Sequence, residues 1–308
     1  MAEQKKAGFA TIIGRPNVGK STLMNHLIGQ KIAITSYKPQ TTRTQIRTIY
    51  TDERGQIVFL DTPGIHESRT KLGEYMVRAA ESTIKEVDAV LWLVEPREKM
   101  TAEEAAIAGM LKGLKKPVIL VINKIDTVKK EQILPAISVF TRDMEFAAVV
   151  PVSALKGEGT KDLMQTLFDL LPEGEPFYDE DMVTTETERE IAAEIIREKA
   201  LRLLPEEVPH GIAVTIEKMK TRKTRDGGPI CDIEASIICE KNSHKGIIIG
   251  RGGAMLRKIG TAARTDIENM LQSRVNLQLF VKVRADWKDN DRQMKNFGYD
   301  MRKYKKKK

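Results

Sequence analysis

Cysteine is nearly absent from this chain: Cys231 and Cys239 are the only two among 308 residues. Their spacing is neither a C-x-x-C clip nor a zinc pattern, and none of the four histidines forms a cluster near them to complete a metal site. Both read as small apolar residues in or beside a strand. Long hydrophobic runs are missing too. No stretch of about 18 apolar residues occurs, so no membrane-crossing helix is expected. The opening "MAEQKKAGFATII" lacks a long apolar segment ending in a small-residue cleavage site. The expectation is a soluble, cytoplasmic protein. Its length suggests two domains, at roughly 100–200 residues each.

Charge is present in quantity but unevenly spread. The formal net charge is +8, yet residues 241–308 alone hold 18 Lys/Arg against 6 Asp/Glu, leaving the first 240 residues net acidic. A basic end on an acidic body points to a polyanion at that end, either nucleic acid or an anionic membrane surface. For "KYKKKK" alone, a frayed and solvated terminus is the competing reading.

In the first half, short apolar runs alternate with helical patterns. "GFATII", "QIVFLDT", "DAVLWLV", "PVILVIN" and "AAVVPVS" read as buried strands. "KSTLMNHLIG", "KLGEYMVRAAESTIKE", "TAEEAAIAGMLKGL" and "TKDLMQTLFDLL" read as helices. Such alternation predicts an α/β domain, a mostly parallel sheet with helices on both faces and ligands at the carboxyl ends of the strands. The acidic, proline-containing "LPEGEPFYDEDMVT" breaks the rhythm and reads as a linker. Beyond it the order is α-β-β-α-α-β, an α+β domain. The predicted boundaries are 1–172 for the first domain, 173–184 for the linker, 185–286 for the second domain and 287–308 for a basic tail.

"GRPNVGKS", 14–21, fits G-x-x-x-x-G-K-[ST]. Gly14 and Gly19 let the backbone turn its N–H groups inward. Lys20 offers a charge to β- and γ-phosphates, and Ser21 a hydroxyl to Mg²⁺. The rest of the loop and the helix start, Arg15, Pro16, Asn17, Val18 and Thr22, belong to the same cradle. "DTPG", 61–64, ends a strand: Asp61 can hold the metal through water, Gly64 can sense a γ-phosphate, and Thr62 and Pro63 lie between. In "NKID", Asp126 can accept from both N1–H and N2–H₂ of guanine, a donor pair adenine lacks. Asn123 braces that loop and Lys124 can lie along the base. At "SAL" (Ser153, Ala154 and Leu155) a backbone N–H can meet guanine O6. Each short motif is weak alone; in this order, on successive strand ends, they are specific.

A second glycine-rich loop lies in "IIIGRGGAMLRKIG", 247–260. It is no dinucleotide fingerprint, because Met255 stands where G-x-G-x-x-G needs glycine, and it has no G-K-[ST]. It fits G-x-x-G between two helices: Gly250, Arg251, Gly252, Gly253. That context is similar to a KH domain of the type in which two strands precede the loop, a module that clamps about four single-stranded nucleotides. The apolar triplet Ile247, Ile248 and Ile249 is expected to pack the core and floor a base groove, and Lys258 to extend the basic surface.

"GRPNVGKS", "QTTR", "DTPG", "NKID" and "SAL", followed by the acidic linker and the "GRGG" domain, together resemble the Era-like family of P-loop GTPases with a C-terminal KH domain. The resemblance covers nearly all of the chain. It implies GTP hydrolysis with Mg²⁺, in which Lys20, Thr42, Asp61 and Gly64 act on the phosphates. Thr42 would supply a second hydroxyl to the metal, with Thr41 the neighbouring alternative. It also implies binding near the 3′ end of 16S rRNA, a role in 30S subunit assembly, and peripheral membrane association. A monomer is expected. One position departs from the best-known GTPases: Ile65 follows "DTPG" where they carry a water-orienting glutamine, so slow intrinsic hydrolysis is expected. Some GTPases with this replacement use K⁺ held partly by an asparagine of the phosphate loop. Two roles are therefore open to Asn17, as a K⁺ ligand or as a brace of the loop.

Overall fold

The computed structural model describes residues 4–30, 33–34, 43, 45–61, 70–205 and 208–304. The main division of the chain falls between Thr185 and Glu186. Before it runs a six-stranded sheet built from β1 (Lys6–Ile13), β2 (Ile46–Asp52), β3 (Gly55–Asp61), β4 (Ala89–Val94), β5 (Val118–Ile122) and β6 (Ala148–Pro151). Its order is β2-β3-β1-β4-β5-β6, and every neighbouring pair is parallel except β2 with β3. The helices are α1 (Lys20–Ile28), α2 (Lys71–Glu86), α3 (Ala102–Leu111), α4 (Ile133–Thr141) and α5 (Thr160–Leu170).

The central strands read as continuous apolar runs because both faces are covered. Successive side chains point to opposite faces, so β4 divides its residues. Leu91 and Leu93 join Leu23 of α1 and Leu163, Leu167 and Phe168 of α5. Val90, Trp92 and Val94 join Ile84 of α2, Ile107 of α3 and Phe140 of α4 on the other face. Helices on both sides of a parallel sheet leave its carboxyl edge as the open place for ligands.

Two elements went unread in the sequence. β2 pairs antiparallel with β3 through the tight turn at Glu53–Arg54; its "IRTIYTD" lacks the long apolar run that marks the buried strands. The segment that forms α4, "ILPAISVFT", carries a proline at its third helical position, where it removes no intrahelical bond.

Residues 173–184, expected as a linker, run along this sheet. Ala7 N donates to Pro172 O (3.1 Å) and Gly174 N to Lys5 O (3.0 Å). Further on, Ile49 N donates to Val183 O (2.9 Å) and Thr184 Oγ1 to Arg47 O (2.7 Å), so the segment covers the otherwise open edge of β2. Between these ends sits Gln56, fully buried on β3. Its Oε1 accepts from Phe177 N (2.8 Å) and Tyr178 N (3.0 Å), and its Nε2 donates to Tyr178 O (2.9 Å). The ring of Phe177 packs on Phe9 at 4.8 Å between centroids.

After Glu186 come α6 (Glu188–Leu203), β7 (Ala213–Lys223), β8 (Pro229–Cys239), α7 (Asn242–Ile249), α8 (Ala254–Leu271), β9 (Arg274–Val283) and α9 (Asp291–Asn296). β7 pairs antiparallel with β8, and β8 parallel with β9. The α7–loop–α8 segment is therefore the crossover that a parallel pair requires. Ile195 and Ile196 of α6 and Ile259, Ala263 and Ile267 of α8 pack on Ile233, Ala235 and Ile237 of β8. Cys231 and Cys239 are free and buried in this core.

The basic tail expected at 287–308 is corrected by the structure over 287–304, the part that lies within the described residues. Trp287 is fully buried and donates from Nε1 to Gly211 O (3.0 Å). Phe297 meets its ring edge-on at 5.4 Å and Tyr299 stacks at 5.9 Å, and Met294 of α9 is also buried. Three aromatics and a methionine give the segment a small core of its own, which the lysine count concealed.

Replacing Gln56 by Ala is expected to destabilise the protein by about 2 kcal/mol, because two backbone N–H groups and a carbonyl of the acidic segment lose their partner. Denaturant unfolding measures the loss. Hydrogen exchange is expected to localise it to 177–178.

Candidate functional site

Among the described residues, the loops after β1, β4, β5 and β6 lie at the carboxyl edge of the first sheet, and the first is the turn from β1 into α1. Gly19 has φ +104°, and a Cβ there would lie 2.2 Å from Asn123 Nδ2. Asn17 also takes a left-handed conformation (φ 64°), which asparagine tolerates better than most residues. The loop closes on Lys20, whose Nζ donates to Gly14 O and Arg15 O, both at 3.0 Å. Lys20 is 7% exposed. Burial pushes its pKa down from 10.5 to about 8, opposed by the Asp61 carboxylate and reinforced by Arg15. Asp61 ends β3 fully buried, and Ser21 is half-buried one residue past Lys20. A hydroxyl and a carboxylate are hard oxygen donors of the kind Mg²⁺ takes, so these residues fit that ion.

The expected brace is seen in Asn123, just past β5. Its Nδ2 donates to Val18 O (2.8 Å) and its Oδ1 accepts from Ala154 N (2.9 Å), tying three loops together. Lys124 is left-handed (φ 63°) and donates from Nζ to Asn17 O (2.9 Å). The Asp126 carboxylate accepts from Ser153 Oγ at 2.7 Å, and that hydroxyl holds it below the usual carboxylate range. Ser153 and Ala154 already spend their backbone N–H groups, on Glu158 O and Asn123 Oδ1. Leu155, 76% exposed, has no backbone partner among the described residues. Thr41, Thr42, Thr62, Pro63, Gly64 and Ile65 lie outside the described residues.

The second glycine loop joins α7 to α8. Gly250 has φ +72°, and a Cβ there would come within 2.8 Å of Met255 Cβ and 2.9 Å of Met255 N. Gly252 (φ +58°) and Gly253 (φ +78°) face open space, as a backbone that must let another chain approach would. Arg251 is exposed beside them. Below the loop a cleft of about 580 Å³ is lined by Gly253, Leu256, Arg257, Gly260, Arg264 and Leu277, among others. Here the expectation needs amending. Of the apolar triplet only Ile248 enters the core; Ile249 is half-buried, Ile247 is 41% exposed, and none lines the cleft. Lys258 and Arg257 are both exposed, and of the two only Arg257 lines the cleft. The missed signal was spacing: 257, 260 and 264 share one stripe of α8.

A phosphate loop after the first strand with a guanine-type loop after the fifth is the arrangement of a P-loop GTPase, here followed by a KH unit. Residues 9–124 match the family described as 50S ribosome-binding GTPase, and residues 207–288 match the KH domain. GTPase Era of Ruminiclostridium cellulolyticum is 50% identical over 298 residues, covering 97% of this chain and 99% of that protein. GTPase Era of Alkaliphilus metalliredigens is 51% identical over 295 residues, 96% of this chain and 99% of its own. Two solved structures, each 40% identical, cover 96% of this chain and are themselves covered completely. They are an Aquifex aeolicus Era variant bound to GDP·AlF4⁻ (TM-score 0.90) and Era in complex with MgGDPNP and nucleotides 1506–1542 of 16S ribosomal RNA (TM-score 0.91). The chain belongs to the GTPase Era family.

The low Lys20 pKa has a pH signature. Between about 8 and 10.5 the unfolded protein binds the proton that the folded, nucleotide-free protein has lost, so stability of that form rises with pH across this window. Phosphates recharge the lysine. GDP binding at pH 9 is expected to take up about one proton, and much less at pH 7.5, where Lys20 is already mostly charged and the phosphates are almost fully ionised. Calorimetry in buffers of different ionisation enthalpy measures this.

Proposed function

We propose that this chain is a GTP-operated clamp on single-stranded ribosomal RNA near the 3′ end of 16S rRNA, acting in 30S subunit assembly. The observation that carries the reading is the pair of backbone cradles, one in each unit, built on glycines with different steric reasons. The first suits the compact triphosphate of one nucleotide: inward N–H groups, the α1 N-terminus and a buried ammonium. The second suits a polymer, with two left-handed glycines facing open space beside an arginine-lined cleft. The relative solved with MgGDPNP and a 16S rRNA fragment supports both assignments.

In this reading Lys20 and the phosphate-loop amides bind the β- and γ-phosphates, and Asp126, held in place by Ser153, accepts from guanine N1–H and N2–H₂. The Ser21 and Thr42 hydroxyls, and Asp61 through water, would hold Mg²⁺, which when bound would supply charge neutralisation at the phosphates. Ile65 has no group to orient water, so intrinsic hydrolysis is slow. Asn17 is exposed with a left-handed backbone, and we infer that it shares in holding K⁺, with bracing of the loop the alternative role. The net charge of +12 over 241–308 favours RNA and also suits peripheral contact with an anionic membrane from the cytoplasmic side. We infer a monomer working in the cytoplasm.

Two measurements test this. A 16S 3′-end RNA is expected to bind at least about tenfold more tightly with a GTP analogue than with GDP, and to tighten the analogue by the same factor. Equal RNA affinity in both states removes the switch. The double change Gly252→Asp, Gly253→Asp puts carboxylates where phosphates pass. It is expected to weaken RNA binding at least about tenfold while nucleotide affinity stays unchanged. Separately, turnover in K⁺ is expected to exceed turnover in Na⁺ by about tenfold or more; equal rates assign Asn17 to bracing alone.

A further inference from the structure

Behind the nucleotide loops lies a cluster of five charged side chains whose contacts with one another the binding roles above leave unexplained. Glu95 is the first residue past β4, and β4 lies between β1, which carries the phosphate loop, and β5, which carries the guanine loop. Its carboxylate accepts from Arg15 of the phosphate loop, from Lys124 of the guanine loop, and from Arg97 Nη2 at 2.6 Å. Glu104 stands behind it on α3, fully buried. Glu104 Oε1 accepts from Arg15 Nε at 3.1 Å and lies 3.7 Å from Arg97 Nε. Its other oxygen accepts from Thr101 N at 2.8 Å in the capping box that starts α3, so the helix itself sets its position. The Arg15 guanidinium is thus forked across two carboxylates, one fixed by a strand end and one by a helix start. Lys124 spans from Glu95 to the phosphate-loop carbonyl of Asn17.

Exposed ion pairs contribute little, but these carboxylates are shielded: Glu95 is 18% exposed and Glu104 not at all. Their geometry also matters more than their sum of charge. Both loop cations are held on one carboxylate that belongs to neither loop, and it sits just past the end of the strand between them.

We propose that Glu95 is a positioning residue for guanine-nucleotide binding: it holds Arg15 and Lys124 together, keeping the phosphate loop and the guanine loop at their working separation, with Glu104 fixing Arg15 from behind. The role rests on the reading of these two loops as the nucleotide site. It acts on the empty frame of the site, and so equally on GDP, GTP and the transition state. A loss of such uniform binding raises KM and leaves kcat alone.

The competing account, in which the cluster only sets the local potential, has the opposite sign. Removing a negative charge beside a phosphate site would tighten nucleotides, and GTP more than GDP. Glu95→Gln is therefore expected to weaken GDP and GTP by about the same factor, about tenfold, as loss of a shielded charged hydrogen bond does. GDP release is expected to quicken in proportion, and kcat to stay within about twofold. Arg97→Gln, which removes the one cation of the cluster outside both loops, is expected to leave GDP affinity within about twofold. Lys124→Met keeps the apolar stem, and combined with Glu95→Gln it is expected to cost much less than the two single losses combined. Glu95→Asp, which retains the charge with shorter reach, covers the case in which the glutamine variant does not fold; a loss of about threefold is expected.

Wild-type protein that fails to bind GDP in preference to ADP overturns the site reading itself. Wild-type protein that binds GDP, beside a Glu95→Gln protein that binds it equally or better, overturns the role of Glu95 alone. So does an Arg97→Gln protein as weak as Glu95→Gln, or full additivity with Lys124→Met.

Discussion

The side chain of Asn123 is where the first unit becomes a site. One amide reaches Val18 O in the phosphate loop and Ala154 N in the loop after β6, and it arrives there from the end of β5. Its approach is possible because residue 19 has no Cβ. The glycine of the phosphate loop thus has two reasons to be glycine: a left-handed backbone and a neighbour at contact distance. A larger residue would push Asn123 away and separate the surface that meets phosphates from the surface that meets the base.

Everything else at that edge is arranged around the same closure. Lys20 is stripped of water and fed by two carbonyls of its own loop, which makes it a strong partner for phosphate and an expensive charge without one. Asp126 is turned and kept ionised by a neighbouring hydroxyl. These are pre-set groups, and pre-setting lowers the cost of ordering them when a ligand binds. The second unit solves a different problem with the same residue type. At Gly250 the chain must pass Met255 closely, whereas Gly252 and Gly253 leave room in front of the backbone. A triphosphate is enclosed; a polymer has to pass through, so its cradle stays open on one side.

Much of this was legible beforehand because it is local. A phosphate loop is a turn whose residues are contiguous, and so is a G-x-x-G loop between helices. Alternating strand and helix patterns implied a sheet covered on two faces, since continuous apolar runs such as "AVLWLV" have no other way to be buried. What was misread depends on partners distant in the chain. The acidic segment looked like a linker because its composition is polar. It is instead held by Gln56, more than 120 residues away, and by the edge of β2. The "basic tail" was judged by its lysines, whereas its place is set by Trp287, Phe297 and Tyr299 packing together and by the bond to Gly211.

From the order of residues alone come the chemistry and its addresses: ammonium, hydroxyl, carboxylate and flexible backbone at Gly14 to Ser21, Asp61, Asn123 to Asp126 and Gly250 to Gly253. Those depend on side-chain type and short spacing, which a linear chain carries directly. Folding adds what spacing cannot encode. It places Arg257 and not Lys258 over the cleft, since helical phase relative to a sheet is fixed only by packing. It brings Arg15 and Lys124 onto the Glu95 carboxylate, because strands 1, 4 and 5 become neighbours only when the sheet forms.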